Sequence, residues 1–242
     1  MRTSVFLQAC LISAVAFAQT FTVTGSVEIT RSRARQQKAS NADAVVWLSP
    51  ASEDPAGSVG AAAATKPRVV LLQKNKTFEP HLLVIPVGSE VDFPNHDPFF
   101  HNVFSLFEGK RFDLGLYESG STRSIRFDRA GVSYLFCNIH SDMSAVIVTL
   151  DTPYYAISDR AGQVAIPDVP AGRYTLHVWR EGTSAAALRS LMRSILISND
   201  SSSIGMLTVP DNAPLPLTHK NKYGQDYVNP EPPGLVYQHP DR

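Results

Sequence analysis

Between Pro67 and Leu150 the chain offers turn residues about every eight to twelve positions, and no helical period persists through the stretch. Apolar and β-branched runs occupy Arg68–Gln73, Leu82–Pro86, Glu90–Phe93, Asn102–Phe107, Arg123–Phe127, Val132–Cys137 and Ala145–Leu150. Gly, Asp, Asn or Ser bounds each of them. Short strands in such close succession predict a β-sandwich or barrel.

The flanks also read as β. Phe21–Ile29 alternates bulky with small or polar residues, as a half-buried strand does, and Ala44–Leu48 is a second strand closed by Ser49-Pro50. Arg31, Arg33, Arg35 and Lys38 read as a solvated loop. Residues 51–66, rich in Ala, Gly, Ser and Pro, read as a connector. Beyond Asp151, strands are expected over Ala156–Ile166, Gly172–Trp179, Ser194–Ile197 and Gly205–Val209, with a turn at Asp159-Arg160-Ala161-Gly162 and one short helix over Ser184–Arg193. From Pro210 prolines are frequent and apolar residues few. That tail is expected to be disordered or to lie along the surface.

Residues 1–18 have the form of a cleavable secretory signal. Arg2 supplies the charge, Val5–Phe17 the apolar run, and Ala16-Phe17-Ala18 the small-residue site before Gln19. The apolar run before Cys10 is too short for a lipoprotein signal, and no stretch is long enough for a membrane-spanning helix. The full chain has 22 basic and 22 acidic residues; losing Arg2 leaves 21 basic residues and a net charge of −1. Nucleic-acid binding calls for a basic excess that is absent here. Removal of the segment also leaves Cys137 as the lone cysteine. In an oxidising compartment a lone cysteine is a free thiol, an intermolecular bridge or a metal ligand.

The chemistry is concentrated in Cys137-Asn138-Ile139-His140-Ser141-Asp142-Met143, directly after Val132–Phe136. Strand alternation puts Ser133, Leu135 and Cys137 on one side, so a cysteine ending the strand can aim its sulfur at the rim of the sandwich. A turn over Asn138 and Ile139 returns His140 toward that sulfur. Met143 can approach from below, and His101 supplies a second imidazole. Two imidazoles, a thiolate and a weak thioether are the donor set of a blue-copper electron-transfer centre. Zinc more often takes four strong ligands, or three and an open position. Asp142, the nearest acid, is expected to face solvent.

This stretch resembles the cupredoxin family, the plastocyanin, pseudoazurin and amicyanin group. Cys137-x2-His140-x2-Met143 is similar to the compact ligand loop of amicyanins. Phe78-Glu79-Pro80 and Val84-Ile85-Pro86-Val87-Gly88-Ser89-Glu90-Val91-Asp92-Phe93-Pro94-Asn95 resemble the lead-in to the family's first ligand, which His101-Asn102-Val103 matches. The resemblance implies an all-β fold, a cupredoxin Greek-key β-sandwich over 67–150. It implies one copper ion cycling between Cu(I) and Cu(II), with His101, Cys137 and His140 as equatorial ligands and Met143 as axial ligand. The backbone N–H of Asn102 would donate to the thiolate from outside the ligand set. Gly25-Ser26-Val27 with Ala42–Leu48, and Asp159-x2-Gly162 with Val169-Pro170-Ala171-Gly172-x-Tyr174, resemble two halves of a carboxypeptidase-regulatory-like sandwich. A second, split β-sandwich domain is therefore expected from 19–66 and 151–209, with 210–242 as the tail. The overall order resembles exported proteins described as methylamine-utilisation-like.

Other readings of the same residues are weaker. A buried cysteine or methionine is often core filler, but Cys137, His140, Met143 and His101 occur together in one frame. A thiol hydrolase needs an oxyanion hole, and no signature of one accompanies Cys137, so no catalytic residue is assigned. His81, His96, His177, His219 and His239 read as surface or turn residues. Phe99, Phe100 and Phe104 read as core and rim packing, and such a rim beside His140 is a port for a redox protein partner. The expected function is one-electron transfer outside the cytoplasm. The alternative is copper delivery or storage with the same ligands, and a third reading gives adhesion or assembly to the flanking β-domain.

Overall fold

Alternation along the first strand shows how the flanks fold. Within β1 (Thr20–Arg31), Val23, Val27 and Ile29 are buried, while Thr24, Glu28 and Thr30 are exposed. The computed structural model describes residues 19–31, 40–51, 68–106, 109–212 and 219–227. The expected signal segment, Arg33, Arg35, Lys38, the connector from 52 onward and His239 lie outside the described residues.

The first part of the chain supplies β1 and β2 (Val45–Pro50). The part after Asp151 supplies β13 (Tyr155–Ile157), β14 (Gln163–Pro170), β15 (Gly172–Trp179), β16 (Arg193–Ile197) and β17 (Ser203–Asp211). These interleave into two sheets, ordered β14-β1-β17 and β13-β2-β15-β16. Their shared core includes Val23, Val27, Leu48, Ile166, Leu176 and Val209. Halves far apart in sequence thus make one sandwich. The helix α1 (Ala185–Leu191) starts one residue inside the expected span, with Ser184 Oγ accepting from Ala187 N–H. The last strand extends past Val209 to Asp211, because β17 pairs in parallel with β1 through Arg31.

The middle of the chain forms a second sandwich. One sheet is ordered β6-β12-β11-β8-β9, from Leu82–Pro86, Ser144–Leu150, Gly131–Cys137, Val103–Ser105 and Phe112–Asp113. The other is β10-β7-β3, from Thr122–Arg126, Glu90–Pro94 and Arg68–Val70. Arg68–Gln73 is not one strand as expected. Leu71 is fully buried, and the chain there leaves β7 to pair β4 (Leu72–Lys74) with β5 (Thr77–Glu79). Leu71, Phe93, Phe127, Leu135 and Ile147 fill the core between these layers, together with Cys137 and Met143.

Strand β12 joins the two sandwiches. From Ala145 to Leu150 every residue is buried, because both of its faces are covered. Ala145 and Ile147 point into the core beside Cys137, whereas Val146, Val148 and Leu150 pack against Val45 and Trp179 of the flanking sandwich. A continuous apolar run is what a strand covered on both faces needs.

Candidate metal centre

Two strand pairings bring the separated donors together. Cys137 is the last residue of β11, and its register partner is Val103 of β8, two residues after His101. Backbone bonds in both directions between His101 and Tyr117 fix the histidine at the sheet end, at 3.1 and 3.0 Å. The loop after Cys137 is closed by Cys137 N–H to Met143 C=O (3.1 Å), Met143 N–H to His140 C=O (3.2 Å) and Asn138 N–H to Asn102 C=O (2.9 Å). The short Asn138–Asp142 excursion therefore returns His140 to the sulfur from which the chain departed.

Cys137 Sγ lies 3.5 Å from His101 Nδ1 and 3.5 Å from His140 Nδ1. All three donor atoms fall within 4.8 Å of one another, so these residues could hold a metal ion. The spacing fits a shared ion. Bonds of about 2.0 Å to nitrogen and about 2.3 Å to sulfur, at a near-tetrahedral angle, separate the two donors by about 3.5 Å. The imidazoles meet edge to face, with centroids 4.9 Å apart, and Phe99 packs on both at 5.4 and 5.3 Å. His101 and Cys137 are completely buried; His140 is partly exposed and opens the site to the surface. Met143 is also fully buried, in the core that holds Cys137. Asp142 is exposed.

Burial pushes the Cys137 thiol up, and backbone N–H groups of Asn102, Ile139 and His140 directed at its sulfur oppose that shift by favouring thiolate. Asn102 is held in turn by donation from its side chain to Asp113 Oδ1 (2.6 Å) and to Gly115 C=O (2.9 Å).

Sequence alone gives Asp97 no role, yet the structure places it behind His101. Asp97 is buried, and its Oδ2 is 2.8 Å from His101 Nε2. Its carboxylate also accepts from the backbone N–H groups of Asn75 (2.6 Å) and Lys76 (2.9 Å). Bonded in this way, Nε2 carries the proton and Nδ1 presents its lone pair toward Cys137. The signal in the sequence is an acid four residues before His101. Two other histidines also differ from expectation. His177 stacks on Trp47 at 5.0 Å within β15, and His219 is partly buried against Phe136 at 4.3 Å.

Both site imidazoles are neutral at pH 7. Burial, then the nearby His101 and Lys76, hold His140 down at about 4; burial also lowers His101, against the pull of Asp97. An unfolded chain takes up the His140 proton near the usual 6.5, so between 6.5 and about 4 it binds more protons than the folded chain. The contribution is complete above pH 6.5 and is lost as pH falls toward 4. The melting temperature of the metal-free protein should fall across this window, and His140→Gln should flatten the slope. Thermal melts at pH 7.5, 6, 5 and 4.5 measure it; identical slopes would remove His140 as the cause.

No protein-family model matches the chain, and no curated protein does. Solved structures similar to part of it include cupredoxins and a Cu-containing nitrite reductase. A purple cupredoxin from Nitrosopumilus maritimus is 23% identical over 35% of this chain and 100% of its own, with a TM-score of 0.31. A Cu-containing nitrite reductase from Thermus scotoductus SA-01 is 22% identical over 51% of this chain and 28% of its own, with a TM-score of 0.35. An amicyanin variant in its reduced Cu(I) form is 22% identical over 37% of this chain and 88% of its own, with a TM-score of 0.32. Among the described residues no helix is long and apolar enough to cross a membrane.

Proposed function

We propose that this chain is an exported type 1 copper protein that carries single electrons between redox partners. One observation carries the reading: His101 Nδ1, Cys137 Sγ and His140 Nδ1 converge within 4.8 Å at one end of a β-sandwich. These residues would hold copper, with Met143 as the weak fourth donor beneath. Copper supplies a Cu(I)/Cu(II) couple, for which thiolate and thioether favour the reduced ion and imidazole suits both. Residues 67–150 would form the copper domain, and 19–66 with 151–209 the carboxypeptidase-regulatory-like sandwich that supports it. The Arg2 and Val5–Ala18 pattern supports export.

The protein's own part is to keep the donors still. Asp97 fixes the His101 ring, three backbone N–H groups hold the thiolate, and the loop bonds between Cys137, His140 and Met143 resist movement. A frame that does not rearrange when charge changes suits electron transfer better than substrate turnover. Partly exposed His140 is the exit. Phe100, Leu116 and Ile139 are exposed apolar residues adjoining His101, Tyr117 and His140, and they suit a docking partner.

Adding Cu(II) to the metal-free protein tests the proposal. An intense visible thiolate-to-copper band that bleaches reversibly with mild reductant is expected. Tight Cu(I) binding with no colour after oxidation would favour delivery or storage, and absence of copper binding would end both readings. Asp97→Asn should weaken copper binding about 10–100-fold, the usual cost of losing an outer partner of a histidine ligand. An amide has one acceptor oxygen for three donors. A competition titration with a copper chelator measures the loss, and unchanged affinity would show that Asp97 does not orient His101.

A further inference from the structure

The outer side of the ligand loop is covered by the chain's own C-terminal region. On β11, Leu135 and Cys137 face the core while Phe136 faces outward; on β8, Val103 faces in and Phe104 out. Phe104 and Phe136 are nonetheless only 1% and 8% exposed. The His219 ring lies 4.3 Å from Phe136 and 6.3 Å from Phe104, and Tyr227 packs on His219 at 5.2 Å.

Polar contacts pin this segment to the site. Tyr227 O–H donates to the backbone carbonyl of Cys137 (2.6 Å), and His219 Nδ1 is 3.2 Å from the same hydroxyl. Lys222 N–H donates to Asn138 Oδ1 (2.9 Å). Lys222 Nζ lies 2.7 Å from Asp113 Oδ2, on the carboxylate whose other oxygen holds the Asn102 side chain. The segment is shaped before it reaches the site. Asn221 Oδ1 accepts from Tyr223 and Gln225 N–H at 2.9 and 3.0 Å, and Gly224 supplies the positive φ of the turn.

We propose that residues 219–227 form a strap belonging to the metal centre. Tyr227 and Lys222 act as positioning residues. Tyr227 clamps the backbone of Cys137 and the main-chain N–H of Lys222 the side chain of Asn138 from outside; Lys222 Nζ steadies Asn102 through Asp113, and together they hold the loop closed over the thiol. The effect on copper rests on the function proposed above, whereas the effect on the thiol does not.

The full-length protein and two variants, Tyr227→Phe and a chain ending at Asn212, test this. In the metal-free state the rate at which Cys137 reacts with a thiol reagent reports opening of the loop. Tyr227→Phe keeps the ring and removes the hydroxyl that meets Cys137 C=O and His219 Nδ1, so the rate should rise about tenfold; ending the chain at Asn212 should raise it by about a hundredfold or more. The thiol rate of Tyr227→Phe should depend only weakly on urea well below the unfolding midpoint, because little surface is exposed, which separates local opening from global unfolding. With copper added, Tyr227→Phe should also shift the visible band or the reduction potential. Thiol rates and copper spectrum both unchanged in Tyr227→Phe would overturn the strap, and a thiol rate that rises with urea as steeply as global unfolding would do so too. A faster thiol reaction in a protein that takes up no copper would sustain the strap and remove the copper reading.

Discussion

Cys137→Ser should leave a folded protein that has no visible copper band. A serine hydroxyl stays protonated where a thiol gives up its proton, and its hard oxygen is a poor partner for Cu(I). The N–H donors of Asn102, Ile139 and His140 would then surround a neutral group. Copper affinity should fall by more than the roughly 10–100-fold that loss of an outer partner costs. Circular dichroism establishes that the sandwich persists, and absorption with copper titration measures the loss. Met143→Leu is the contrasting case, since a weak thioether donor can be lost while the coloured site stays, with a shifted potential. A fully coloured site in Cys137→Ser would end the assignment of that ligand.

Val148→Asp should lower stability by roughly 3–5 kcal/mol, the cost of an unpaired charge buried between packed surfaces. Val148 is 1% exposed and lies between Val132 of β11 and Val84 of β6, on the side of β12 facing Val45 and Trp179. No residue of that seam cluster can neutralise a carboxylate. Val70→Asp is the control, because Val70 is 51% exposed and surface substitutions usually stay within about 0.5 kcal/mol. Urea unfolding of both variants gives the comparison. Equal midpoints would mean that the two sandwiches do not pack through β12.

The site was legible where its chemistry is local. Cys137, His140 and Met143 are joined by a loop too short to allow many arrangements, and a lone thiol beside an imidazole has few uses. His101 was legible through the residues around it, although only the β8–β11 pairing shows how it reaches the sulfur. Asp97 was not legible in the same way. Asn95-His96-Asp97-Pro98 has the composition of a solvated turn, and burial of the carboxylate depends on the backbone of Asn75 and Lys76 folding over it. The tail was harder still. Few apolar residues and many prolines predict no element after Pro210, yet Tyr227, Lys222 and His219 find partners on a surface created by other strands.

Sequence alone gave the β character of the chain and pointed to Cys137, His140 and His101 as donors that could share a metal, because alternation, turn residues and side-chain chemistry act over a few positions. Tertiary structure decided what lies against what: the flanking sandwich on the outer face of β12, the carboxylate behind His101 and the strap behind Cys137. Those contacts join residues dozens of positions apart. Their energy exists only once two surfaces meet, so no local pattern encodes them.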